Sequence, residues 1–191
     1  MELTGLLLLA AVVAIVGSLG FYLVYLFNRL YRFRNAADAN IGQIQVAMKK
    51  RLDMIEQLLG AVKGYVRHER EVFETVASMR AKVFGAGAQG LEEIDRESRG
   101  IAVSIMAVAE AYPELKANET VVKLMDAIVS VEDEIARHRY TYNNIVQELN
   151  TMMDTIPSNF VARSAGLGKL DYLRFEEEIE KRPDITGISG S

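Results

Sequence analysis

The stretch LLLLAAVVAIVGSLGFYLVYLF, residues 6–27, decides the fold of this chain. It contains no charged side chain, and Ser18 is its one polar residue apart from two tyrosines. At about 1.5 Å per residue, a helix of this length covers about 33 Å, which matches the ~30 Å hydrocarbon core of a bilayer. A helix also satisfies its own backbone hydrogen bonds, as a hydrocarbon environment requires. The stretch therefore predicts a single transmembrane helix.

The residues that flank this helix predict a retained anchor and its orientation. A cleaved signal peptide starts with cations and ends with small residues, whereas this stretch is preceded by Glu2 and ends with Phe27. A membrane-proximal basic cluster follows, and it consists of Arg29, Arg32 and Arg34. The positive-inside rule then predicts a single-pass protein of the plasma (inner) membrane, with its N-terminus outside and its C-terminal domain in the cytoplasm. The cluster also suits anionic lipid headgroups, although orienting the helix would explain it alone.

Small side chains recur at every fourth residue within the membrane helix, at Ala10, Ala14 and Ser18. Such a transmembrane small-residue stripe lets two helices approach closely in lipid, where packing rather than hydrophobicity drives association. The stripe predicts that neighbouring anchors contact each other within the lipid bilayer.

Composition limits what the rest of the chain can be. About 160 residues lie outside the membrane, enough for one domain. The formal net charge is -4, and the chain beyond the basic cluster is more acidic still, which argues against a nucleic acid partner. The absence of cysteine excludes disulfides, thiolate catalysis and cysteine-ligated metals. We expect a transmembrane anchor at 1–28, a cytoplasmic helical bundle at 29–165, and a short C-terminal helix with a tail at 166–191.

A long amphipathic helix is predicted to continue the membrane helix. No proline occurs between Arg29 and about Val83, and apolar residues recur at every third or fourth position. Arg51 breaks this stripe, and Gly60 and Gly64 are candidate bends because glycine weakens a helix. The membrane-proximal part of the stripe consists of Ile41, Ile44, Met48 and Ile55.

Two further helices follow a glycine-rich connection at residues 84–90. The second helix begins near Leu91 and ends before Pro113, which disfavours helical geometry in the residue that precedes it. The third begins at the N-cap Asn118 and ends at Pro157. Its apolar side chains alternate steps of three and four, which predicts coiled-coil-like packing along its whole length. This seam consists of Val121, Leu124, Ile128, Val131, Ile135, His138, Tyr142, Ile145, Leu149, Met152 and Ile156.

Together these elements predict an all-α fold, in which the transmembrane helix continues into an antiparallel bundle of three to four long helices. The second helix is much shorter than the first, so a third helix running outward again would leave part of the first uncovered. Exposed apolar surface is unfavourable by about 25 cal/mol for each Å². We therefore expect a homo-oligomer, and a sharp bend at Gly60 or Gly64 is the intrachain alternative. The proposed self-association face is Ile41, Ile44, Met48 and Ile55.

Short motifs run through these helices in a fixed order. On these motifs the chain resembles the LemA family, from about Phe27 to Ala162. The resemblance implies a membrane anchor, a bundle of three to four long helices, no established enzyme activity, and a theme of membrane organisation, since some members resemble magnetosome-membrane proteins. The chain departs from the family at Glu56 and Gln57, where the family usually has Pro-Asn. The motifs are RN at 34–35, MKKRLDMI at 48–55, VKGYVRHE at 62–69, AVAEAYPELKANE at 107–119, YN at 142–143, Asn150 and IPSN at 156–159.

The sequence predicts no catalytic, cofactor-binding or metal site. His68 begins a sequence similar to a zinc-protease motif, but Val72 stands where the second histidine is needed. His138 lies in the seam of the third helix, where a polar residue that sets the register is a simpler interpretation than a metal ligand. We expect a non-enzymatic, membrane-anchored scaffold that self-associates and needs no cofactor. The alternatives are a tethered adaptor for a separate cytoplasmic protein partner, and an enzyme.

Overall fold

The fold consists of α-helices joined by short turns. The computed structural model describes residues 2–66 and 69–174, and within these ranges it contains no β-strand. The predicted all-α fold is confirmed. The helices are α1 Glu2–Ala61, α2 Glu69–Lys82, α3 Ala88–Ala111, α4 Pro113–Lys116, α5 Glu119–Asp154 and α6 Ser158–Ser164, and a 3-10 turn at Val83–Gly85 follows α2.

Helix α1 joins the apolar N-terminal segment to the bundle without a break. Its 60 residues contain no proline, so nothing interrupts the backbone hydrogen bonds along it. The apolar part is long enough to cross a membrane, and none of its most apolar 18-residue window is buried inside the chain. The second half of α1 lies in the core, where Leu52, Leu58 and Leu59 are fully buried. One helix therefore forms both the candidate membrane span and the centre of the bundle.

The chain reverses direction directly after α1. Gly64 has a φ of 91°, a left-handed conformation that glycine adopts at little cost. Helix α2 then returns along α1, as shown by the bonds that Arg80 donates to the carboxylates of Asp53 at 3.3 Å and Glu56 at 2.5 Å. The prediction of an unbroken helix to about Val83 is therefore wrong. The bend at Gly64, which the sequence left open as an alternative, is the observed conformation.

Helices α3 and α5 complete a bundle whose long helices alternate in direction. Helix α3 runs away from the N-terminal segment, so that the ring of Tyr112 at its end packs against the ring of Tyr65 in the turn after α1. Helix α5 runs back: Lys50 pairs with Glu134 at 3.2 Å, and farther along α5, Leu149 joins an apolar cluster with Leu30. The expectation that this helix runs outward is wrong, because α2 adds one reversal before it.

The apolar stripe of α1 is covered by the same chain. Ile44, Met48 and Ile55 are fully buried, and Ile41 is half-buried against the core that contains them. Because α5 lies antiparallel to α1 over this stretch, its apolar face supplies the cover. The predicted lack of cover is wrong, and these four side chains face the interior of their own chain.

Helix α5 begins where the sequence predicts, but part of its seam is shifted. Asn118 caps the first turn by accepting hydrogen bonds from two backbone N–H groups. Near the middle of the helix, the buried residues are Arg139 and Val146, whereas the predicted His138 and Ile145 are half-buried. The buried positions of α5 advance by four residues twice in succession here, whereas a heptad seam alternates steps of three and four. Such a pattern follows the 3.6-residue period of a straight helix more closely than heptads do.

The chain turns back after α5. Ile156, predicted as the last member of the seam, is exposed in the turn before α6. After α6, residues 167–174 follow a non-helical path along α5. The short C-terminal helix predicted within 166–191 is therefore wrong as far as residue 174, and its remainder, 175–191, lies outside the described residues.

Candidate functional site

A set of buried and half-buried charged side chains lies where α1, α3 and α5 meet. The guanidinium of Arg51 is fully buried and donates to the carboxylates of Asp95 at 3.0 Å and Glu132 at 2.7 Å. It also donates to the Ser98 hydroxyl at 2.6 Å. Arg139 reaches the same Asp95 carboxylate from α5, at 3.0 Å. We refer to Arg51, Asp95, Ser98, Arg99, Glu132 and Arg139 as the Arg51 network.

Most ion pairs of the Arg51 network join side chains on different helices. Arg99 donates to Asp95 at 3.1 Å and lies 3.4 Å from Glu132, so three guanidinium groups share two carboxylates. Each of these groups would be costly to bury alone, and the bonds between them offset that cost. A slip of one helix by one turn would separate buried opposite charges. The network is therefore suited to hold α1, α3 and α5 in one register.

The sequence signals only one member of this network. Arg51 interrupts an apolar stripe, and a cation at a core position requires a buried partner. Asp95, Glu132 and Arg139 give no such signal, because each lies among other charged residues of an amphipathic helix. The residues predicted for the seam of α5 include His138, which is next in sequence to the buried Arg139 of the network.

Side-chain amides of α5 hold residues 167–174, which we call the C-terminal strap. The Asn150 amide donates to the Leu170 carbonyl at 2.9 Å, and its oxygen accepts from the Leu170 N–H at 3.1 Å. Asn143 makes the same pair of bonds with Leu173, at 2.7 and 2.8 Å. Each asparagine thus bonds both the N–H and the carbonyl of one strap residue, as the backbone of a neighbouring β-strand would. Both asparagines belong to the short motifs of the sequence, and the strap gives them a structural role.

Tyr142 adds a third attachment for the strap. Its phenol donates to the Asp171 carbonyl at 3.1 Å. Burial and the nearby charge of Asp171 raise the pKa of Tyr142 above its ordinary value of 10.0, and Arg34 acts in the opposite direction. The phenol therefore stays protonated at neutral pH and remains a hydrogen-bond donor to the strap.

A polar cleft of about 680 Å³ opens between α3 and α5 at the end of the strap. Cations and carboxylates both line it, including Arg96, Arg99 and Asp133. The backbone N–H of Arg174 donates to the Glu92 carboxylate, which fastens the strap beside the cleft. The cleft connects the Arg51 network to the surface, but its mixed charge favours neither an anion nor a cation.

An apolar groove of about 810 Å³ lies between α2 and α3. Tyr65 and Tyr112 contribute to its lining, with their ring centroids 4.8 Å apart. Its other walls are mostly aliphatic and include the half-buried Val72, Ile101 and Val108. The groove therefore offers an apolar surface at the end of the bundle remote from the N-terminal segment.

The predicted basic cluster lies at the end of the bundle next to the apolar segment of α1. The guanidinium of Arg29 lies 5.6 Å from the ring centroid of Phe33, and Arg34 pairs with Asp38 at 3.3 Å. Arg32 is exposed. At about 100° per residue, Arg29 and Arg32 lie about 60° apart on one side of the helix, whereas Arg34 lies on the other side, so the three arginines do not form one pocket. Because the three cations lie within about 8 Å along the helix axis, they suit the depth of a lipid headgroup layer.

The small-residue stripe lies on the exposed first half of α1. Ala10, Ala14 and Ser18 are all exposed in the single chain. The Ser18 hydroxyl donates to the Ala14 carbonyl one turn earlier, at 2.8 Å, so it needs no partner from another helix. The stripe is thus available for contact, in contrast to the buried Ile41, Ile44, Met48 and Ile55.

Comparison with known protein families matches residues 40–186 to the LemA family. Protein LemA of Metamycoplasma hominis is 27% identical over 151 residues, which cover 77% of this chain and 69% of the relative. Magnetosome protein MamQ of Magnetospirillum gryphiswaldense is 21% identical over 187 residues, 84% of this chain and 68% of the relative. Magnetosome protein MamQ 2 of Paramagnetospirillum magneticum is 32% identical over 82 residues, 43% of this chain and 30% of the relative.

The matched region begins within α1 and contains helices α2 to α6. It also contains the whole Arg51 network and the C-terminal strap. The resemblance that the short motifs indicate is confirmed by this match. The chain belongs to the LemA family.

Proposed function

We propose that this protein is a non-enzymatic helical scaffold that self-associates at the cytoplasmic face of the plasma (inner) membrane. The continuity of α1 from Glu2 to Ala61 carries the proposal. At about 1.5 Å per residue, the part of α1 beyond Asn28 extends about 50 Å from the membrane surface. A helix without a flexible linker holds the bundle at a fixed height above its anchor. A scaffold requires such a fixed position, whereas a tethered enzyme does not.

The relatives support a role at a membrane without naming a reaction. Two of the three relatives described above are named magnetosome proteins, and none of the three names states an enzymatic activity. We infer from this that the chain organises or remodels membrane through assembly rather than through catalysis.

Contact between anchors is the proposed route to assembly. Ala10, Ala14 and Ser18 share one exposed face of α1. Small side chains let two helices approach closely, and the resulting van der Waals contacts favour pairing in lipid. Because α1 continues into the bundle, pairing of two anchors would set their bundles side by side on the membrane.

Disulfide crosslinking tests this interface, because the chain contains no native cysteine. We expect Ala14→Cys to form disulfide-linked dimers in oxidised membrane vesicles. Val12→Cys, on the opposite face of the same helix, is the matched control and should form far fewer. The full chain, extracted in mild detergent, should have a mass above that of a monomer. A monomeric mass together with equally weak crosslinking at both positions would overturn the proposal.

A tethered adaptor is the second candidate, and the apolar groove between α2 and α3 favours it. Apolar grooves between helices accept amphipathic helices of partner proteins. The continuous α1 would present this groove to a separate cytoplasmic protein at a fixed distance from the membrane. For an adaptor, the wild type should retain one stoichiometric partner in a pull-down, and Ile101→Glu, which places a charge in the groove, should lose it.

A further inference from the structure

The turn between α5 and α6 lies level with the end of the apolar segment of α1. Lys50 and Glu134 define the register of these two antiparallel helices, because they pair at 3.2 Å. Ile156 lies as many residues after Glu134 as Asn28 lies before Lys50. Both helices rise by about 1.5 Å per residue, so the two segments cover the same distance along the bundle. Ile156 therefore reaches the height of Asn28, the first residue after the predicted span.

Packing at this end of the bundle places α6 at the same height. An apolar cluster joins α1, α5 and α6, and its α1 members are Leu26 and Leu30. Leu26 belongs to the apolar stretch, yet it is buried, whereas the stretch before it is exposed. The bundle therefore extends down to the last turn of the predicted span. The cluster consists of Leu26, Leu30, Leu149, Met152 and Ala162.

Two large apolar side chains project from this turn. Ile156 is 77% exposed, and Phe160 in α6 is 61% exposed. Single exposed apolar residues are common on soluble protein surfaces. These two differ in their position, because they lie at the height where the bilayer begins. An apolar environment at that height would remove their surface from water, which is favourable in proportion to the area buried.

The polar groups around the turn suit a headgroup layer. Arg163 lies in the last turn of α6, and Arg29 follows the apolar segment of α1, so both helices that meet at this end of the bundle carry a cation near the predicted membrane surface. Asp154, at the end of α5, is paired with Lys169 at 2.8 Å, which reduces its repulsion of anionic lipid. Apolar side chains bordered by cations are typical of surfaces that lie in a membrane interface.

We propose that the α5–α6 turn inserts Ile156 and Phe160 into the headgroup layer of the bilayer that α1 spans. The occupant of this surface is lipid, because α6, which carries Phe160, packs through Ala162 into the cluster that contains Leu26 at the end of the predicted span. The inference rests on membrane anchoring by α1, which belongs to the proposed function, and it is independent of self-association. A second contact beside the span limits the tilt and rotation that a single membrane helix permits.

Tryptophan fluorescence of full-length variants tests this contact, because the chain contains no native tryptophan. Each variant is placed, one copy per disc, in bilayer discs whose lipids carry bromine close to the headgroup, where it quenches nearby tryptophan. Phe160→Trp reports on the turn. The matched control is Tyr140→Trp, which is similarly exposed at 65% but lies about 24 Å farther from the membrane than Ile156 along α5. Phe21→Trp, at a position 79% exposed within the apolar segment, reports insertion of the anchor.

Across this ~24 Å step we expect quenching of Phe160→Trp to exceed that of Tyr140→Trp by about twofold or more. Ile156→Trp should behave in the same way, and it does not alter α6. Quenching of both turn variants at the control level, with Phe21→Trp quenched, would overturn the lipid contact and leave anchoring intact. A blue-shifted emission without quenching would also overturn it, because protein would then cover the turn. An unquenched Phe21→Trp would overturn the anchoring and the lipid contact together.

Discussion

At the scale of single residues, Asp95 is the carboxylate on which three arginines converge. Arg51 donates to it from α1, Arg99 from α3 and Arg139 from α5. The side chain is nearly buried, so water contributes little to screening these charges. Loss of this one negative charge would leave the three arginines with Glu132 as the remaining carboxylate of the network.

Asp95→Asn should therefore destabilise the bundle strongly. Breaking a buried ion pair from one side typically costs about 3–5 kcal/mol, because the remaining charge stays buried. Chemical unfolding of the detergent-solubilised full chain, followed by circular dichroism, measures the effect. Asp126→Asn, exposed on the same bundle, is the control and should change the free energy of unfolding by less than about 0.5 kcal/mol. Equal effects of the two variants would show that the Arg51 network does not stabilise the fold.

At the scale of elements, the C-terminal strap extends the bundle without adding a helix. Asn143 and Asn150 each bind one strap residue through both its N–H and its carbonyl. Leu173 of the strap is buried in the main core, and Leu170 packs against it half-buried. The strap thus combines side-chain hydrogen bonds with apolar burial, which compensates for its lack of regular secondary structure.

Removing both asparagine amides should release the strap while the helices stay folded. We expect Asn143→Ala combined with Asn150→Ala to abolish the hydrogen-exchange protection of the Leu170 and Leu173 amides, because their acceptors are lost. Hydrogen exchange of the full chain measures this directly. Asn144→Ala, an exposed neighbour on α5, should leave both amides protected. Retained protection in the double variant would mean that apolar packing alone holds the strap.

At the scale of the whole molecule, α1 makes the candidate membrane span and the bundle one unit. Its apolar first half is exposed as far as Tyr25, and the other helices pack around the part that follows. The basic cluster Arg29, Arg32 and Arg34 stands at the junction between the two halves. For a chain whose first half spans a membrane, the side on which this cluster lies determines the side on which the entire bundle lies.

A reporter enzyme fused after Ser191 should be active only in the cytoplasm, because positive side chains next to a span are retained there. Changing Arg29, Arg32 and Arg34 together to Glu should lower that activity and expose the reporter on the other side in part of the population. Arg163→Glu, a charge change far from the span in sequence, should leave the orientation unchanged. Digestion of the wild-type bundle by protease added outside intact cells would contradict the predicted orientation.

Several features of this fold follow from chemistry that is local in the chain. The apolar run at 6–27 predicts the candidate span, Pro113 ends α3, and Asn118 begins α5, since each acts on residues within one or two turns. The candidate site was predictable only in part. Arg51 is visible as a cation in an apolar stripe, but its partners are not, because they lie on other helices.

Packing between distant segments determined the remaining features. An apolar stripe indicates that a face is covered but not which helix covers it, so the burial of Ile44 and Met48 by α5 depended on the reversal after α1. Helical periodicity alone permits either His138 or Arg139 to face inward, and the buried carboxylate of Asp95 favours the arginine. The strap depends on bonds from α5 side chains to backbone groups far along the chain, and no periodicity within a segment encodes such a contact.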